Sequence, residues 1–137
     1  MRATFDKSER LCSRKVIDSL FSEGSSFLAP PFRVVWRLAT LPTDQPAQVA
    51  ISVPRKRIKK AVTRNRVRRM VREAYRQHKS IHYVPLQTAG DQLAIMLIYL
   101  PGKPLPYAEL QHKIILTLQR LLQEYEQAGR GSPHRTD

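Results

Sequence analysis

The residues with the clearest chemical potential lie in one basic segment, residues 55–79. Twelve of the chain's 24 Lys and Arg residues fall there, and Glu73 is the one acidic residue of the segment. Solvated helix faces usually mix positive and negative charges, and this segment does not. Arginine outnumbers lysine in it, and planar guanidinium groups suit two-point contacts to phosphates and stacking on bases. The segment therefore predicts binding to a polyanion, with nucleic acid favoured.

The same segment carries an apolar stripe at helical spacing, formed by Val67, Met70, Val71, Ala74 and Tyr75. This periodicity predicts a helix from Ala61 or Val62 to Lys79, about 27 Å long, with its arginines off the stripe. A membrane surface is the alternative polyanion, but it would need the apolar stripe to face lipid. We expect a sheet to cover that stripe, which disfavours the membrane.

The sequence gives little support for a catalytic site formed by the protein alone. The sequence contains no glycine-rich phosphate loop, no His-Glu-x-x-His spacing and no Gly-x-Ser-x-Gly motif, and its carboxylates are dispersed. His78 and His82 are four residues apart, as in a two-point metal site, but no carboxylate or thiol lies near them in sequence to complete one. Cys12 has basic neighbours, and we expect it to be a spectator thiol. A nuclease acting alone is the least favoured class.

The elements before the basic segment follow from local patterns. Ser13 and Gly24 bound a predicted first helix, with Ser13 as its N-cap. A strand over residues 32–38 places Phe32, Val34 and Trp36 on a core face. The alternate residues, Arg33, Val35 and Arg37, lie on the other face, which carries charge. The polar segment 42–46 predicts a hairpin loop that returns through a strand at 48–53, which Pro54 ends.

The elements after it complete the predicted fold. A loop is expected over residues 80–90, because it contains Pro85 and Gly90. Residues 92–100 are apolar on both parities, which predicts a central strand buried on both faces. One face of a last helix is lined by Leu110, Ile114, Leu118, Leu121, Leu122 and Tyr125. The order α-β-β-β-α-β-α predicts an α+β two-layer sandwich.

Composition bounds the remaining possibilities. The chain has 137 residues, a net charge of +13 and a pI near 10.6. This length predicts one domain, residues 1–128, followed by a polar and disordered tail, residues 129–137. No window is apolar enough to span a membrane, and no signal peptide is evident. With a single cysteine, these features predict a cytoplasmic protein.

The run from Lys59 to Glu73, with Arg64-Asn65-Arg66 at its centre, closely resembles the signature of the bacterial ribonuclease P protein component. The resemblance covers roughly residues 5–122 and includes Arg10-Leu11, the segment 51–56 and Asp91 before the apolar strand. It implies an RNA-binding subunit that helps a catalytic RNA remove the 5′ leader of precursor tRNA, with Mg²⁺ bound mainly by that RNA and no protein partner required. It also implies a left-handed βαβ crossover through the basic helix, which general chirality rules make rare.

The resemblance assigns two sets of residues. Those expected to face the catalytic RNA are Arg55, Lys56, Lys59, Lys60, Arg64, Asn65, Arg66, Arg68, Arg69 and Arg72. Those expected to line a cleft for the single-stranded leader, between the first helix and a sheet face, are Ile17, Phe21, Arg33, Val35 and Arg37. Ile17 and Val35 replace aromatic residues frequent in the family, which predicts weaker base stacking. Metal ligands on the protein are not assigned.

Other classes remain open from the residues alone. A ribosomal-type protein that binds structured RNA without a role in cleavage would use the same basic helix on a sheet. A DNA-binding regulator would place that helix in a major groove. The second is disfavoured, because the helix is expected to connect two strands.

Overall fold

The computed structural model of the chain describes residue 5 and residues 7–131. A short 3₁₀ helix, Lys7–Glu9, comes first. The elements that follow are α1 (Arg14–Glu23), β1 (Ser25–Ala29), β2 (Phe32–Leu38), β3 (Ala47–Ser52), α2 (Ala61–His78), α3 (Ser80–Ala89), β4 (Leu93–Tyr99) and α4 (Tyr107–Gly131). The predicted α+β class is confirmed, with one helix more than expected between the basic helix and the last strand.

The strands form one mixed sheet in the order β1-β2-β4-β3. β4 pairs antiparallel with β2 and parallel with β3. The predicted hairpin between the second and third strands is therefore wrong, because β4 lies between them. β4 is apolar on both faces, so a central position buries both faces and gives its backbone a partner on each side. The parallel β3–β4 pair is connected through α2, as expected for a βαβ unit.

Gln92 organises the segment expected to be a hairpin loop. Its side-chain amide donates hydrogen bonds to the carbonyl oxygens of Thr43 and Gln45, at 2.7 and 2.9 Å. Its side-chain oxygen accepts from the backbone N–H of Leu41 at 2.9 Å. These bonds satisfy backbone groups of the segment 41–45, which belongs to no strand and connects β2 to β3.

The main core lies between the sheet and the helices α2, α3 and α4. Phe32, Val34 and Trp36 of β2 are buried there, which confirms the predicted parity. The predicted stripes of α2 and α4 also face this core, with Met70 and Leu122 packed at its edge. Each fully buried aliphatic or aromatic side chain contributes about 1.5–3 kcal/mol to folding. Burial of the α2 stripe fixes which side of that helix points outward.

α3 contradicts the predicted loop over residues 80–90. The helix runs through Pro85, whose ring removes a backbone donor and normally disfavours a helix interior. Tyr83 and Leu86 are fully buried against the core, and their burial outweighs the local proline signal. The helix ends at Gly90, which has a φ of 75° in the left-handed region, where glycine is favoured.

α1 packs on the opposite face of the sheet, over β2 and β4. Ser13 is its N-cap, as predicted, and its hydroxyl oxygen accepts from the N–H of Val16 at 3.3 Å. At the other end, a Cβ on Gly24 would lie 2.4 Å from the carbonyl oxygen of Leu20, so only glycine fits this position without a shift of the backbone. A second, smaller core forms beneath α1 and includes Leu20 and Val35.

α4 continues to Gly131, into the segment 129–137 that was expected to form a tail. Residues 132–137 of that segment lie outside the described residues.

Candidate nucleic-acid interface

The outward side of α2 carries the arginine face, which we define as Arg66, Arg68, Arg69 and Arg72. Burial of Val67 and Val71 against the sheet forces these side chains away from the core. Arg66, Arg69 and Arg72 are exposed, and Arg68 is partly buried. The predicted residues of the preceding turn are also exposed: Arg55, Lys56, Lys59 and Lys60. The structure therefore brings most of the first predicted set onto one end and one side of α2.

Arg64 has a different position from the other arginines of this set. It is partly buried, and its guanidinium donates to the carbonyl oxygens of Ile58 and Lys59, at 3.1 and 2.7 Å. Ile58 is itself buried and turns back onto Pro54, whose carbonyl accepts its N–H at 3.2 Å. Arg64 therefore holds the turn that presents the exposed cations, in addition to contributing charge.

Asn65 lies beside Arg68 on the helix surface. The Arg68 guanidinium donates to the Asn65 side-chain oxygen at 2.8 Å. This neutral partner orients Arg68 and leaves its charge uncompensated. The central Arg64-Asn65-Arg66 motif thus contains a residue that holds a turn, one that orients a neighbour and one exposed cation.

The acidic residue of the helix does not offset the arginine face. Glu73 accepts from Arg76 Nε at 3.0 Å and from Gln77 at 2.8 Å. The hydrogen bond from Arg76, followed by that from Gln77, lowers the pKa of Glu73. Arg76, one turn beyond Arg72, neutralises the carboxylate and leaves the charge of the arginine face in place.

A further cation, Arg10, was not predicted as a site residue. The pKa of Arg72 is lowered by burial first, and then by the like charges of Arg10 and Arg68. Arg10 precedes α1 by several residues, so its approach to α2 depends on tertiary structure. The sequence signal that could have indicated it is its place in the Arg10-Leu11 pair that forms part of the family resemblance.

The second predicted set lies on the sheet face that α1 covers. Phe21 is 60% exposed, and Ile17, one turn earlier on the same side of α1, is partly buried. Arg33 is exposed, and Arg37 forms an ion pair with Glu23 at 3.3 Å. Val35 is 6% exposed and packs in the core beneath α1, so it does not line an open surface. That prediction is corrected: α1 itself covers the middle of this face.

The strand register identifies a row of cross-strand neighbours, next to Val35 on the same face of the sheet, whose side chains are more exposed than that of Val35. Leu28, Arg33, Ile98 and Ser52 are neighbours across β1, β2, β4 and β3, with their side chains on the α1 side of the sheet. Leu28 is 53% exposed. The sequence did not indicate Leu28 and Ile98, because no bounds were predicted for β1 and because β2 was expected to pair with β3. We name the surface formed by Phe21, Leu28, Arg33 and Ile98 the leader surface, after the role that the family resemblance predicts for this face.

The histidines that might have suggested a metal site have structural partners. His82 is fully buried, and its Nε2 lies 3.0 Å from the Tyr75 hydroxyl. Burial, with a smaller effect from the Lys79 charge, lowers the pKa of His82 to about 3, so the ring is neutral. His78 lies 3.0 Å from the Gln111 amide. Among the described residues, no three His, Cys, Asp or Glu side chains are grouped to hold a metal ion.

The helices of the described part of the chain include none with the length and apolar character needed to cross a membrane.

Comparison with known proteins identifies relatives of this chain. A family model described as Ribonuclease P matches residues 5–122. The chain is 47% identical over 81 residues to the ribonuclease P protein component of Porphyromonas gingivalis, covering 58% of this chain and 59% of that protein. The match thus spans about three fifths of that relative. This chain is also 31% identical over 117 residues to the ribonuclease P protein component of Xylella fastidiosa, covering 85% of this chain and 78% of that protein.

Solved structures show the same architecture. The RNase P protein from Thermotoga maritima matches with a TM-score of 0.65 and 26% identity, covering 82% of this chain and 96% of that chain. The Staphylococcus aureus RNase P protein matches with a TM-score of 0.62 and 23% identity, covering 82% and 95%, and supports the fold alone. Since the family model matches most of its length, the chain belongs to the ribonuclease P protein family.

Proposed function

We propose that this chain is the RNA-binding protein subunit of ribonuclease P, which assists a catalytic RNA in the endonucleolytic removal of the 5′ leader from precursor tRNA. The observation that carries the proposal is the separation of two surfaces by one sheet. The arginine face lies on α2, on one side of the sheet, and the leader surface lies on the α1 side. Family membership supports the choice of the catalytic RNA and precursor tRNA as the two partners.

Each surface suits its proposed partner. The arginine face presents uncompensated guanidinium groups, which match the phosphates of a folded RNA. The leader surface combines exposed apolar side chains with Arg33, a pairing suited to unstacked bases and their backbone. The protein would therefore connect the catalytic RNA to the leader and raise the affinity for precursor over mature tRNA. The cytoplasm, where tRNA is transcribed in bacteria, is the proposed location.

Hydrolysis is assigned to the RNA subunit, with Mg²⁺ bound mainly there. Three carboxylates of the protein already have partners: Glu9 with Lys79, Glu73 with Arg76, and Asp91 with Tyr125. These three carboxylates are therefore not open ligands for a magnesium ion. The chain's own contribution is binding and orientation of RNA, and no additional protein is required for it.

The proposal is tested by adding the purified protein to the ribonuclease P RNA encoded in the same genome, at near-physiological Mg²⁺. We expect faster cleavage of precursor tRNA and tighter binding of precursor than of mature tRNA. Unchanged cleavage would contradict the proposal. Equal affinity for the two tRNAs, with the catalytic RNA bound, would instead favour a ribosomal-type RNA-binding protein.

Phe21→Ala is expected to lower the affinity of the holoenzyme for precursor tRNA and to leave its affinity for mature tRNA unchanged. Loss of one base-stacking contact costs about 1–3 kcal/mol, or about 5–150-fold in affinity. Because Phe21 lies on the opposite side of the sheet from the arginine face, assembly with the catalytic RNA should survive.

The matched control for this variant is Val84→Ala, which shortens another exposed apolar side chain, on α3. It should leave both tRNA affinities unchanged. A Phe21→Ala holoenzyme that binds precursor tRNA as tightly as the Val84→Ala holoenzyme would remove Phe21 from the leader surface.

A further inference from the structure

The segment before α1 runs alongside the C-terminal half of α2. Phe5 packs edge-on against Tyr75, with ring centroids 5.6 Å apart. Four residues later, the buried carboxylate of Glu9 pairs with Lys79 and accepts from the Tyr83 hydroxyl at 2.8 Å. These contacts fix Phe5 and Glu9 against α2 and α3.

Arg10 follows directly on this anchor. Its neighbour Leu11 donates its N–H to the Val49 carbonyl at 3.0 Å, so the backbone is held at the edge of β3. The Arg10 guanidinium lies 5.8 Å from the centroid of the Phe5 ring, which itself packs on α2. The side chain is exposed and lies beside the helix that carries the arginine face.

Arg68 and Arg72 occupy successive turns of α2 and point to the same side. Their like charges and that of Arg10 act on one another, which is why Arg10 and Arg68 both depress the pKa of Arg72, after burial. The ion pairs found in the described part of the chain involve Arg37, Arg76, Lys79 and Arg120. The Phe5 ring beside the Arg10 guanidinium packs on Tyr75, which lies three residues after Arg72, so Arg10 is on the same side of α2 as Arg68 and Arg72. None of these three arginines forms an ion pair in that part of the chain.

We infer that Arg10, Arg68 and Arg72 form one phosphate-binding site, in which a backbone phosphate of the partner RNA is held from two elements of the fold. The inference rests on the proposed function for the identity of the polyanion. Like charges held together are unfavourable in the free protein, and an anion between them removes that cost. RNA is preferred to an acidic protein, because the site is continuous with the exposed Arg66 and Arg69.

The buried pair Glu9–Lys79 is the positioning element of this site. Both side chains are almost fully inaccessible, with 1% and 4% of their surface exposed. The pair ties the residue before Arg10 to the C-terminal end of α2. The third guanidinium is therefore held against α2 before any RNA binds.

The first test uses inorganic phosphate as the probe and nitrogen-15 NMR of the arginine side chains in the full chain. The Nε–H signals of Arg10, Arg68 and Arg72 are expected to shift together, with one common midpoint. In Arg10→Gln, the midpoint for the other two should move to higher phosphate concentration. Unequal midpoints in the wild type, or a midpoint unaffected by Arg10→Gln, would overturn the shared site.

The second test measures affinity for the catalytic RNA with Arg10→Gln, Arg72→Gln and the double variant. Each single change should weaken binding about tenfold or more, because each removes a charge-assisted contact. The double variant should lose less than the product of the two, since both residues contact the same phosphate. Lys113→Gln, which removes one positive charge from α4, is the matched control.

The outcomes of the two inferences are distinguishable. If the wild-type chain binds the catalytic RNA and the Arg10→Gln variant binds it as tightly as the Lys113→Gln variant does, the shared site is overturned and the proposed function stands. A wild-type chain that fails to bind the catalytic RNA would overturn the proposed function, and the phosphate titration would still decide whether the three arginines share an anion.

Discussion

Lys79→Met is expected to lower the free energy of unfolding by about 3–5 kcal/mol, because it removes the ammonium group of Lys79 from the buried Glu9 carboxylate. Glu9 and Lys79 are both inaccessible, so water cannot replace the lost contact. The Tyr83 hydroxyl continues to donate to Glu9, but a neutral donor compensates a buried charge poorly. Urea unfolding followed by circular dichroism measures the change.

Two further variants separate this effect from ordinary loss of packing. Glu9→Gln combined with Lys79→Met removes both charges and should recover much of the stability, since an uncharged pair of similar volume is often tolerated. Glu124→Gln breaks the exposed pair with Arg120 and should cost less than about 1 kcal/mol. A Lys79→Met chain no less stable than Glu124→Gln would show that the buried pair does not stabilise the fold.

The affinity of the chain for the catalytic RNA is expected to fall about 10³–10⁵-fold between about 50 and 200 mM monovalent salt at constant Mg²⁺. The exposed cations of the arginine face and the turn before it are enough for roughly six to eight phosphate contacts, and each contact releases bound counterions. Filter binding or fluorescence anisotropy across the salt series gives the slope of log affinity against log salt.

Single arginines should change that slope in a predictable way. Arg69→Gln, on the arginine face, should reduce its magnitude by about 1. Arg120→Gln removes the same charge from α4, where Arg120 pairs with Glu124 at 2.9 Å, and should leave the slope unchanged. Equal slopes for the two variants would indicate a diffuse charge effect in place of contacts at the arginine face.

Local patterns predicted the elements whose residues bury one consistent face. α2 and α4 have apolar stripes, β2 alternates, and β4 is apolar throughout, so period and polarity together indicated their type and orientation. The arginines of α2 were assigned to the outside for the same reason. These features depend on neighbours three or four residues away, which a sequence displays directly.

Tertiary contacts decided the rest. α3 forms despite Pro85 because Tyr83 and Leu86 pack on a core assembled from distant elements. β4 separates β2 from β3 because a strand buried on both faces occupies the centre of the sheet. The open row beside α1 could not be predicted without that order. Parity placed Val35 on the correct face of the sheet, but it does not show which part of that face a helix covers.

The bonds from Arg64 to the carbonyl oxygens of Ile58 and Lys59 have a consequence for how tightly RNA can be held. A free turn would have to lose conformational entropy on binding, and that loss would subtract from the affinity. Because the turn is shaped when the chain folds, Arg55, Lys56, Lys59 and Lys60 are displayed from a preorganised backbone. One arginine of the family's signature motif thereby makes its neighbours more effective, and its loss would weaken binding through flexibility as well as through charge.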